Sequence, residues 1–375
     1  MKNYLYPIAG ANHIGVSSYF VNLSGVKIIF DAGAKKGISE VYPDYSALVY
    51  EGHIDNLDEI DLIILSHAHF DHIGSLLYIA GQAKNAIIIA SKTTKDLIKM
   101  QLVDFGRCIT YYDDERIKKA KLEKMDEILK RIEEVSVRNP IERKGVRITL
   151  YPAGHMAGAT MSYLETKGMS LIYTGDFSFE TILGMNKPQF DGLRPDILVI
   201  NGTNGYRYKV QNHFNYKALD KRIKNLLKNG GNVLLKSTSI AKHLDLFYAL
   251  KLMKVNVKIY LDRDSERIAD AFSNLGYFVY SEKLTGYVEK PKGKHILVSQ
   301  IEQEGYQCIN VDKYSLHASF AELVNTVYLF GPKKVFVVHS DPHNDMLCFM
   351  DDLRIQGRYF GECIQCKDKR VYSFD

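Results

Sequence analysis

The sequence predicts an α/β protein made of a larger domain and a smaller α/β domain inserted into it. Short apolar, β-rich runs before residue 205 end repeatedly at histidine or aspartate, which indicates strands followed by polar loops. Residues 206–299 change to helix–strand alternation, which favours a parallel sheet. We therefore expect the larger domain to comprise residues 1–205 and 300–375, with 206–299 as the inserted domain.

The elements of the larger domain are predicted from apolar runs and the breaks between them. Residues 16–23 and 26–30 are β-rich and are separated by Ser24-Gly25, which predicts a hairpin. Residues 61–66 are expected to form a short buried strand that leads into His67. A helix is expected at 74–80, and helical structure throughout 92–135. Further strands are expected at 86–90, 146–151, 161–165, 170–174, 197–200 and 335–338.

The inserted segment is predicted to alternate helices and strands. Helices are expected at 219–227, 244–253 and 268–272, strands at 233–235 and 257–261, and extended chain at 277–280. Gly230-Gly231 ends the first helix in the manner of a C-cap. Ser237-Thr238-Ser239 allows two interpretations, phosphate binding at a helix start or an ordinary N-cap.

Composition indicates a folded protein without a membrane span. The chain has 375 residues, is 46% hydrophobic and contains no apolar run of about 20 residues. The first 15 residues lack the continuous apolar run of a secretory signal, and five cysteines do not suggest a disulfide framework. We therefore expect a soluble, cytoplasmic protein, with Cys363 and Cys366 as ordinary thiols.

The charge of the chain supports a nucleic-acid partner only weakly. The net charge is +5, which is compatible with a polyanionic substrate but is shared by many proteins that bind none. Lysines concentrate at 217–236 and 281–294, and solvated helix faces and loops explain these stretches equally well. The sequence does not determine the oligomeric state, and a homo-oligomer is compatible with it.

The segment from His67 to His72 carries the strongest chemical pattern in the chain. His67, His69, Asp71 and His72 follow a buried strand in the spacing H-x-H-x-D-H. Such a loop can direct His67 and His69 to one metal, and Asp71 and His72 to a second. Imidazole nitrogen and carboxylate oxygen suit zinc, and they also suit manganese or iron.

Three more candidate ligands also follow apolar strands. His155 lies in A-G-H-M-A-G, Asp176 lies in T-G-D, and His339 comes directly after 335–338. A carboxylate at Asp176 could bridge two metals. Each residue alone is more often a turn residue or a hydrogen-bonded histidine, but together they form a coherent set with the first motif.

The order of these motifs resembles the metallo-β-lactamase superfamily. Asp31-Ala32-Gly33 is similar to that family's early D-x-G strand terminus. The resemblance implies an αββα sandwich that holds two metals per chain, zinc by expectation with manganese as the alternative. It also implies the ligand sets, which are His67, His69 and His155 for one metal, Asp71, His72 and His339 for the other, and Asp176 as the bridge.

Further motifs resemble the β-CASP nucleases, the branch that contains ribonuclease J and the pre-mRNA 3′-end endonuclease. The segments 153–159, 173–178, 195–200 and 337–340 are similar to its motifs, and the inserted domain takes the place of its cap. Residues 314–319 resemble its second extra motif, with His317 as the key residue. Asn201 departs from the pattern, because the branch has an acid there that is thought to orient this histidine. Asn201 can accept a hydrogen bond from an imidazole but offers no charge. The cap is also shorter than usual.

The resemblance implies a metal-dependent nuclease that acts on single-stranded RNA or DNA through a hydroxide that bridges the metals. Asp71, Asp176 and His317 are the expected catalytic residues, with His317 as candidate general acid. A histidine that is merely hydrogen-bonded is the alternative for His317. Hydrolysis of a small ester, thioester or cyclic phosphodiester stays open, as does a non-catalytic subunit of an RNA-processing complex. All seven ligand positions are filled, which argues against the last, although Asn201 leaves room for it.

Overall fold

The computed structural model describes residues 2–35, 41–104, 115–179, 187–189, 192–206, 215–253, 255–277 and 280–375. The chain divides into two compact units. The first comprises Met1–Phe179, Asn186–Lys209 and His317–Asp375, and the second comprises Glu180–Met185 and Val210–Leu316.

The described residues form short strands and α-helices. The strands are β1 (Tyr4–Ala9), β2 (Ser18–Leu23), β3 (Val26–Phe30), β4 (Leu62–Ile64), β5 (Ile87–Ala90), β6 (Ile132–Glu134), β7 (Ile141–Arg143), β8 (Val146–Pro152), β9 (Thr160–Glu165), β10 (Ser170–Tyr173), β11 (Ile197–Asn201), β12 (Asn232–Lys236), β13 (Lys258–Leu261), β14 (Leu284–Tyr287), β15 (His295–Ser299), β16 (Tyr306–Asn310), β17 (Lys334–Val338), β18 (Glu362–Gln365) and β19 (Tyr372–Ser373). The α-helices are α1 (Ala47–Tyr50), α2 (Phe70–Ile73), α3 (Leu76–Gln82), α4 (Lys92–Lys99), α5 (Glu115–Arg131), α6 (Tyr216–Lys228), α7 (Ile240–Leu252), α8 (Arg263–Asn274), α9 (Phe320–Phe330) and α10 (Met346–Ile355).

Two seven-stranded sheets of the first unit share one core. One has the strand order β19-β1-β2-β3-β4-β5-β6 and the other the order β18-β17-β11-β10-β9-β8-β7. The centroid of the Tyr173 ring, on the second sheet, lies 4.7 Å from that of Phe30 and 5.8 Å from that of Tyr19 on the first. α4 and α5 contact β6, and α10 contacts β18, so helices flank the sheets. Burial of the apolar faces between the sheets stabilises this sandwich. The predicted α/β sandwich is confirmed.

The ends of parallel strands determine where polar side chains meet. β3 and β4 are parallel neighbours in one sheet, and β10, β11 and β17 are parallel neighbours in the other. Because parallel strands end at the same edge of a sheet, the residues at and after their carboxyl ends lie close together. Those residues include Asp31, His67, Asp176, Asn201 and His339.

The second unit contains a five-stranded sheet in the order β14-β13-β15-β12-β16, and every strand pairing in it is parallel. α7 connects β12 to β13, and α8 connects β13 to β14. α6 contacts β12 and buries Leu219, Ile223 and Leu227, which recur every four residues along one helix face. The unit therefore has the parallel sheet that the helix–strand alternation predicts.

The edge strand β16 lies beyond the predicted boundary at residue 299. It pairs with β12 in the sheet of the second unit, and this hydrogen-bonded ladder holds it there. Tyr306–Asn310 has one buried side chain, that of Ile309, so apolar patterning gave no reason to extend the inserted domain past 299. The division of the chain at 205/206 and 299/300 stays a prediction, with β16 on the far side of it.

The prediction of helical structure throughout 92–135 is wrong at its end. α5 ends at Arg131, and Ile132–Glu134 is β6, which pairs with β5. Ile132 continues the apolar spacing of the helix, so spacing alone could not separate the strand from it. Residues 105–114 of that range, and 278–279 of the predicted extended segment 277–280, lie outside the described residues. In the described part of the chain, no helix combines the length and apolarity that crossing a membrane requires.

Candidate metal centre

The H-x-H-x-D-H segment leaves β4 in extended conformation and then enters α2. His69 is extended, with φ −72° and ψ 147°, and the helix begins at the next residue. The backbone N–H of His72 donates to the carbonyl oxygen of His69 at 2.9 Å. This change from extended to helical backbone sends successive side chains in different directions, while His67 and His72 stay fully buried.

Four of the predicted ligands form one group. One ligand atom each from His67, His69, His155 and Asp176 lies within 4.8 Å of the others. His69 Nδ1 is 3.1 Å from His67 Nε2 and 3.0 Å from His155 Nε2. Asp176 Oδ2 is 3.8 Å from His67 Nε2 and 3.6 Å from His155 Nε2. Three imidazole nitrogens and a carboxylate oxygen are a donor set that suits zinc.

Asp71, His72 and His339 form a second group within the same distance limit. Asp71 Oδ2 is 3.9 Å from His72 Nε2 and 3.6 Å from His339 Nε2. The backbone N–H of Gly15 donates to His339 Nε2 at 3.0 Å, and a metal held by this nitrogen would have to replace that hydrogen bond. The backbone of His339 is left-handed, with φ 48°, a strained conformation that clusters at functional sites.

Asp176 lies between the two groups and is 2% exposed. Its Oδ2 faces the first group, whereas its Oδ1 is 3.5 Å from His72 Nε2 and 3.1 Å from His339 Nδ1. Each carboxylate oxygen therefore faces a different group, as a bridging ligand requires. The structure brings all seven predicted residues together, and their role as metal ligands stays a prediction.

Burial and charge set the protonation of these side chains. Burial lowers the pKa of His69 to about 3 and holds that of His67 well below its ordinary value, so both rings are neutral, the form that binds metals. Burial also disfavours protonated His72, but the surrounding carboxylates, Asp176 foremost, raise its pKa to about 10. Although burial raises it, the pKa of Asp176 stays well below its ordinary value because of His72 and the other histidines. The centre therefore keeps negative charge that attracts a cation.

Asp31 organises the site from behind, a role that the sequence analysis missed. Its Oδ2 accepts hydrogen bonds from His72 Nδ1 at 2.7 Å, the Ser66 hydroxyl at 2.8 Å and the Tyr173 hydroxyl at 2.6 Å. Its Oδ1 accepts from the backbone N–H of Ser66 at 2.7 Å, and Ser66 Oγ is 2.9 Å from His67 Nδ1. A carboxylate that holds Nδ1–H of a histidine leaves Nε2 free to bind metal. The D-x-G strand terminus was the signal that could have identified it.

Asn201, which stands where an acid was expected, contacts the predicted ligands themselves. Its amide nitrogen donates to Asp176 Oδ1 and adjoins His339 Nδ1. Its amide oxygen accepts from the backbone N–H of Thr203 at 2.9 Å and from the hydroxyl at 2.6 Å. Because Thr203 supplies only donors to that oxygen, the amide is oriented with its N–H groups towards Asp176. A carboxylate at this position would instead place an unprotonated oxygen against Asp176.

His317 lies beside the first group. Its Nδ1 is 3.4 Å from Asp176 Oδ2, and its ring centroid is 4.7 Å from that of His155. The backbone N–H of the next residue, Ala318, donates to the carbonyl oxygen of Phe177 at 2.6 Å, which fixes the segment next to Asp176. Burial lowers the pKa of His317 to about 3, so the ring is neutral, although its side chain is 26% exposed.

The polar segment Ser237-Thr238-Ser239 belongs to the second unit and precedes α7. Ser239 caps the helix, since its side chain accepts from the backbone N–H of Lys242. The carboxylate of Asp312 accepts from the Thr238 backbone N–H at 2.9 Å and from its hydroxyl at 2.8 Å. These contacts favour the N-cap interpretation, because an internal carboxylate takes the groups that a phosphate would need.

The residues of the two groups fit a dinuclear metal centre. His72 Nε2 is buried and has no hydrogen-bond partner within the part of the chain that the structure describes, although it lies 3.5 Å from Asp176 Oδ1. Buried polar atoms without a partner are rare, and a cation between these two atoms accounts for this one. Nitrogen and oxygen donors without thiolates are compatible with zinc and with manganese.

Comparison with known proteins adds the family context. Residues 20–184 match the family model of the metallo-beta-lactamase superfamily domain. The chain is 28% identical over 251 residues to cleavage and polyadenylation specificity factor subunit 3 of Dictyostelium discoideum, a match that covers 65% of this chain and 31% of the relative. It is 26% identical over 305 residues to cleavage and polyadenylation specificity factor subunit 3-I of Arabidopsis thaliana, covering 73% and 42%. It is also 26% identical over 302 residues to the endoribonuclease ysh1 of Schizosaccharomyces pombe, covering 73% and 38%.

The chain spans less than half the length of these relatives, between 31% and 42%. A crystal structure of a protein of unknown function from Enterococcus faecalis matches with a TM-score of 0.66 and 14% identity, covering 100% of both chains. That likeness concerns the fold alone.

Proposed function

Because the resemblance to the metallo-β-lactamase superfamily and its β-CASP branch is confirmed, we propose that this protein is a metal-dependent hydrolase that cleaves phosphodiester bonds of RNA. The observation that carries the proposal is the convergence of two groups of histidines and aspartates on the two oxygens of Asp176. Relatives that include an endoribonuclease support RNA as the substrate.

Two metal ions, zinc or manganese, are the cofactors in this proposal. His67, His69 and His155 would hold one, Asp71, His72 and His339 the other, and Asp176 would contribute one oxygen to each. Bound metals supply a water nucleophile near neutral pH and offset the charge that develops on the phosphoryl oxygens.

Residues of the chain orient the predicted ligands through hydrogen bonds. Asp31 holds the proton of His72 on Nδ1 and, through Ser66, orients His67. Asn201 holds Asp176 from the other side through its amide N–H. The ligands are therefore positioned before substrate binds, which lowers the cost of assembling the site during the reaction.

His317 is the residue that we propose to meet the leaving oxygen of the substrate. It lies beside Asp176 and is partly exposed, so a substrate at the centre can reach it. Because its ring is neutral, we infer that it donates an N–H hydrogen bond to that oxygen rather than presenting a permanent positive charge. A preorganised hydrogen-bond donor of this kind contributes about 10²–10³ in rate.

Incubation with end-labelled single-stranded RNA tests the proposal. We expect metal-dependent cleavage, and the fragment ladder separates internal cuts from shortening at an end. A His69→Ala/Asp71→Ala variant, which removes one ligand from each group, should have no activity. An Asp196→Asn variant is the matched control, because Asp196 bonds Ser170 and Lys333 rather than any predicted ligand.

The control for substrate class is a chromogenic phosphodiester of low molecular weight. Cleavage of this small diester without cleavage of RNA would move the function to a small cyclic or linear phosphodiester. Cleavage of neither, by protein that contains metal, would contradict the proposed hydrolase activity on phosphodiesters.

A further inference from the structure

A strongly basic surface lies on the second unit, and none of its residues belongs to the candidate metal centre. It consists of α6 and the segment 288–294, and we call it the α6 surface. α6 turns Leu219, Ile223 and Leu227 towards the core and exposes a polar face to solvent. The sequence alone is equally compatible with a nucleic-acid partner for these lysines and with a solvated helix face.

The α6 surface accounts for the positive charge of the entire chain. It contains eight lysines and arginines and two acids, a net charge of +6, whereas the whole chain carries +5. All other residues together therefore carry −1. The eight cationic residues, all exposed, are Lys217, Lys221, Arg222, Lys224, Lys228, Lys290, Lys292 and Lys294.

Four of these lysines form a line along the helix. Lys217, Lys221, Lys224 and Lys228 follow one another at steps of four, three and four residues, which places them on one face over about 16 Å. Lys224 pairs with Asp220 at 2.6 Å. The other three make no ion pair with any acid among the described residues. Neighbouring lysines on this line have Cβ atoms about 5–6 Å apart, less than the Debye length of about 8 Å, so their positive charges are unfavourable to one another.

The segment 288–294 extends this line at the carboxyl end of α6. Lys294 Nζ donates to the carbonyl oxygen of Leu227 at 2.9 Å, a position that the helix dipole favours for a cation. Lys290 and Lys292 are exposed in the same short segment. Lys294 therefore joins this basic segment to the carboxyl end of α6.

We propose that the α6 surface binds the phosphodiester backbone of RNA, an inference that rests on the proposed function and extends it. A polyanion relieves the repulsion along the whole line and releases its own counterions, whereas a small anion would engage only one or two lysines. A membrane is the weaker alternative, because helices that bind membranes insert their apolar face, and that of α6 is buried against the sheet. Binding through phosphates carries no sequence preference.

The test compares two variants that lose the same charge at different places. In the α6 variant, Lys217→Gln, Lys221→Gln and Lys228→Gln remove three cations that have no acidic partner. In the matched control, Lys119→Gln, Lys124→Gln and Lys130→Gln remove three exposed cations from α5 of the first unit, a helix that also carries four acids. Affinity for fluorescent single-stranded RNA is measured by anisotropy at several salt concentrations, with EDTA present to prevent cleavage. Circular dichroism verifies the fold.

We plot the logarithm of the RNA affinity against the logarithm of the salt concentration. Each phosphate contact to a single strand contributes about 0.7 to the magnitude of the slope, so loss of three lysines in the α6 variant should reduce that magnitude by about 2. At 0.1 M salt its affinity should fall roughly 10–100-fold, and that of the α5 control by much less. Equal losses in both variants, or no loss in the α6 variant, would overturn the proposal. The proposal would also be overturned if the α6 variant retained RNA binding but no longer bound vesicles containing phosphatidylserine, because the surface would then bind a membrane.

Hydrolysis of the small chromogenic phosphodiester separates this inference from the proposed function. The α6 variant should hydrolyse it at the unchanged rate, because the substituted residues lie outside the candidate centre. If the unchanged protein hydrolyses neither substrate while RNA binding still depends on the α6 surface, the proposed function fails and the binding surface is supported.

Discussion

Asp31→Asn tests how the site controls the form in which His72 binds metal. Asp31 is fully buried, and its Oδ2 accepts from three donors, one of which is His72 Nδ1. In the variant, the amide oxygen keeps the bond from the Ser66 backbone N–H, so the amide NH₂ takes the place of Oδ2. The hydroxyls of Ser66 and Tyr173 can rotate to accept from it, but His72 Nδ1 can accept only in the neutral tautomer whose single proton lies on Nε2.

The expected magnitudes follow from this change of tautomer. A proton on Nε2 blocks the atom that would bind the second metal, and loss of such a supporting carboxylate weakens metal binding about 10–100-fold. The free energy of unfolding without metal should fall by about 3 kcal/mol, since a hydrogen bond to a buried charged group contributes about 1.5–3 kcal/mol and two further bonds are weakened.

Calorimetric titration with zinc or manganese, together with urea denaturation, measures both quantities. Asp196→Asn is the control, because Asp196 also accepts hydrogen bonds from a serine N–H and hydroxyl, at 2.9 Å each. Asp196 precedes β11, whereas the end of β11 near the candidate metal centre is Asn201. This control should lose stability without losing metal affinity. Two metals bound by Asp31→Asn as tightly as by the unchanged protein would refute the argument.

Three further predictions concern catalysis, packing and protons. His317→Ala should lower RNA cleavage about 10²–10³-fold and leave the metal content unchanged, because it removes a hydrogen-bond donor and no predicted ligand. Equal activity would remove His317 from the mechanism. Gly33→Ala should prevent folding or metal binding, because its Cβ would lie 1.8 Å from the carbonyl oxygen of Asp71, whereas Gly168→Ala, with nothing within 4 Å, should be neutral by circular dichroism and metal analysis. Carboxylates raise the pKa of His72 to about 10 despite burial. The protonated ring therefore stabilises the metal-free fold; this stabilisation is fully present below about pH 6.5 and is lost as the pH rises towards 10. Metal uptake at pH 7.5 should therefore release a proton from His72, which titration in buffers of different ionisation enthalpy detects; no release would contradict the assignment.

The fold could be predicted from the sequence where side-chain pattern and backbone agree. The hairpin of β2 and β3 follows from two β-rich runs around Ser24-Gly25, and α6 follows from apolar residues at every fourth position. The prediction was wrong at Ile132, because this residue continues the helical spacing of α5 but begins β6. The pairing of β6 with β5 is a tertiary contact, which the local spacing does not contain. β16 was not predicted because it is an edge strand with mostly polar, half-buried side chains.

The candidate site could likewise be predicted where the signal is a motif along the chain, but not where it is a hydrogen bond between residues distant in sequence. Chemical type and spacing were enough to select seven residues that the structure brings into two groups. They could not reveal Asp31 as the partner of His72 and Tyr173, because those bonds join residues 41 and 142 positions apart. Nor could they show that Asn201 faces Asp176, since its orientation depends on two hydrogen bonds from Thr203.

Elemental analysis of the purified protein tests directly whether the chain holds a dinuclear metal centre. We expect two equivalents of zinc or manganese per chain, and about one or none in the His69→Ala/Asp71→Ala variant. Absence of bound metal in the unchanged protein, even after incubation with both ions, would contradict the dinuclear centre.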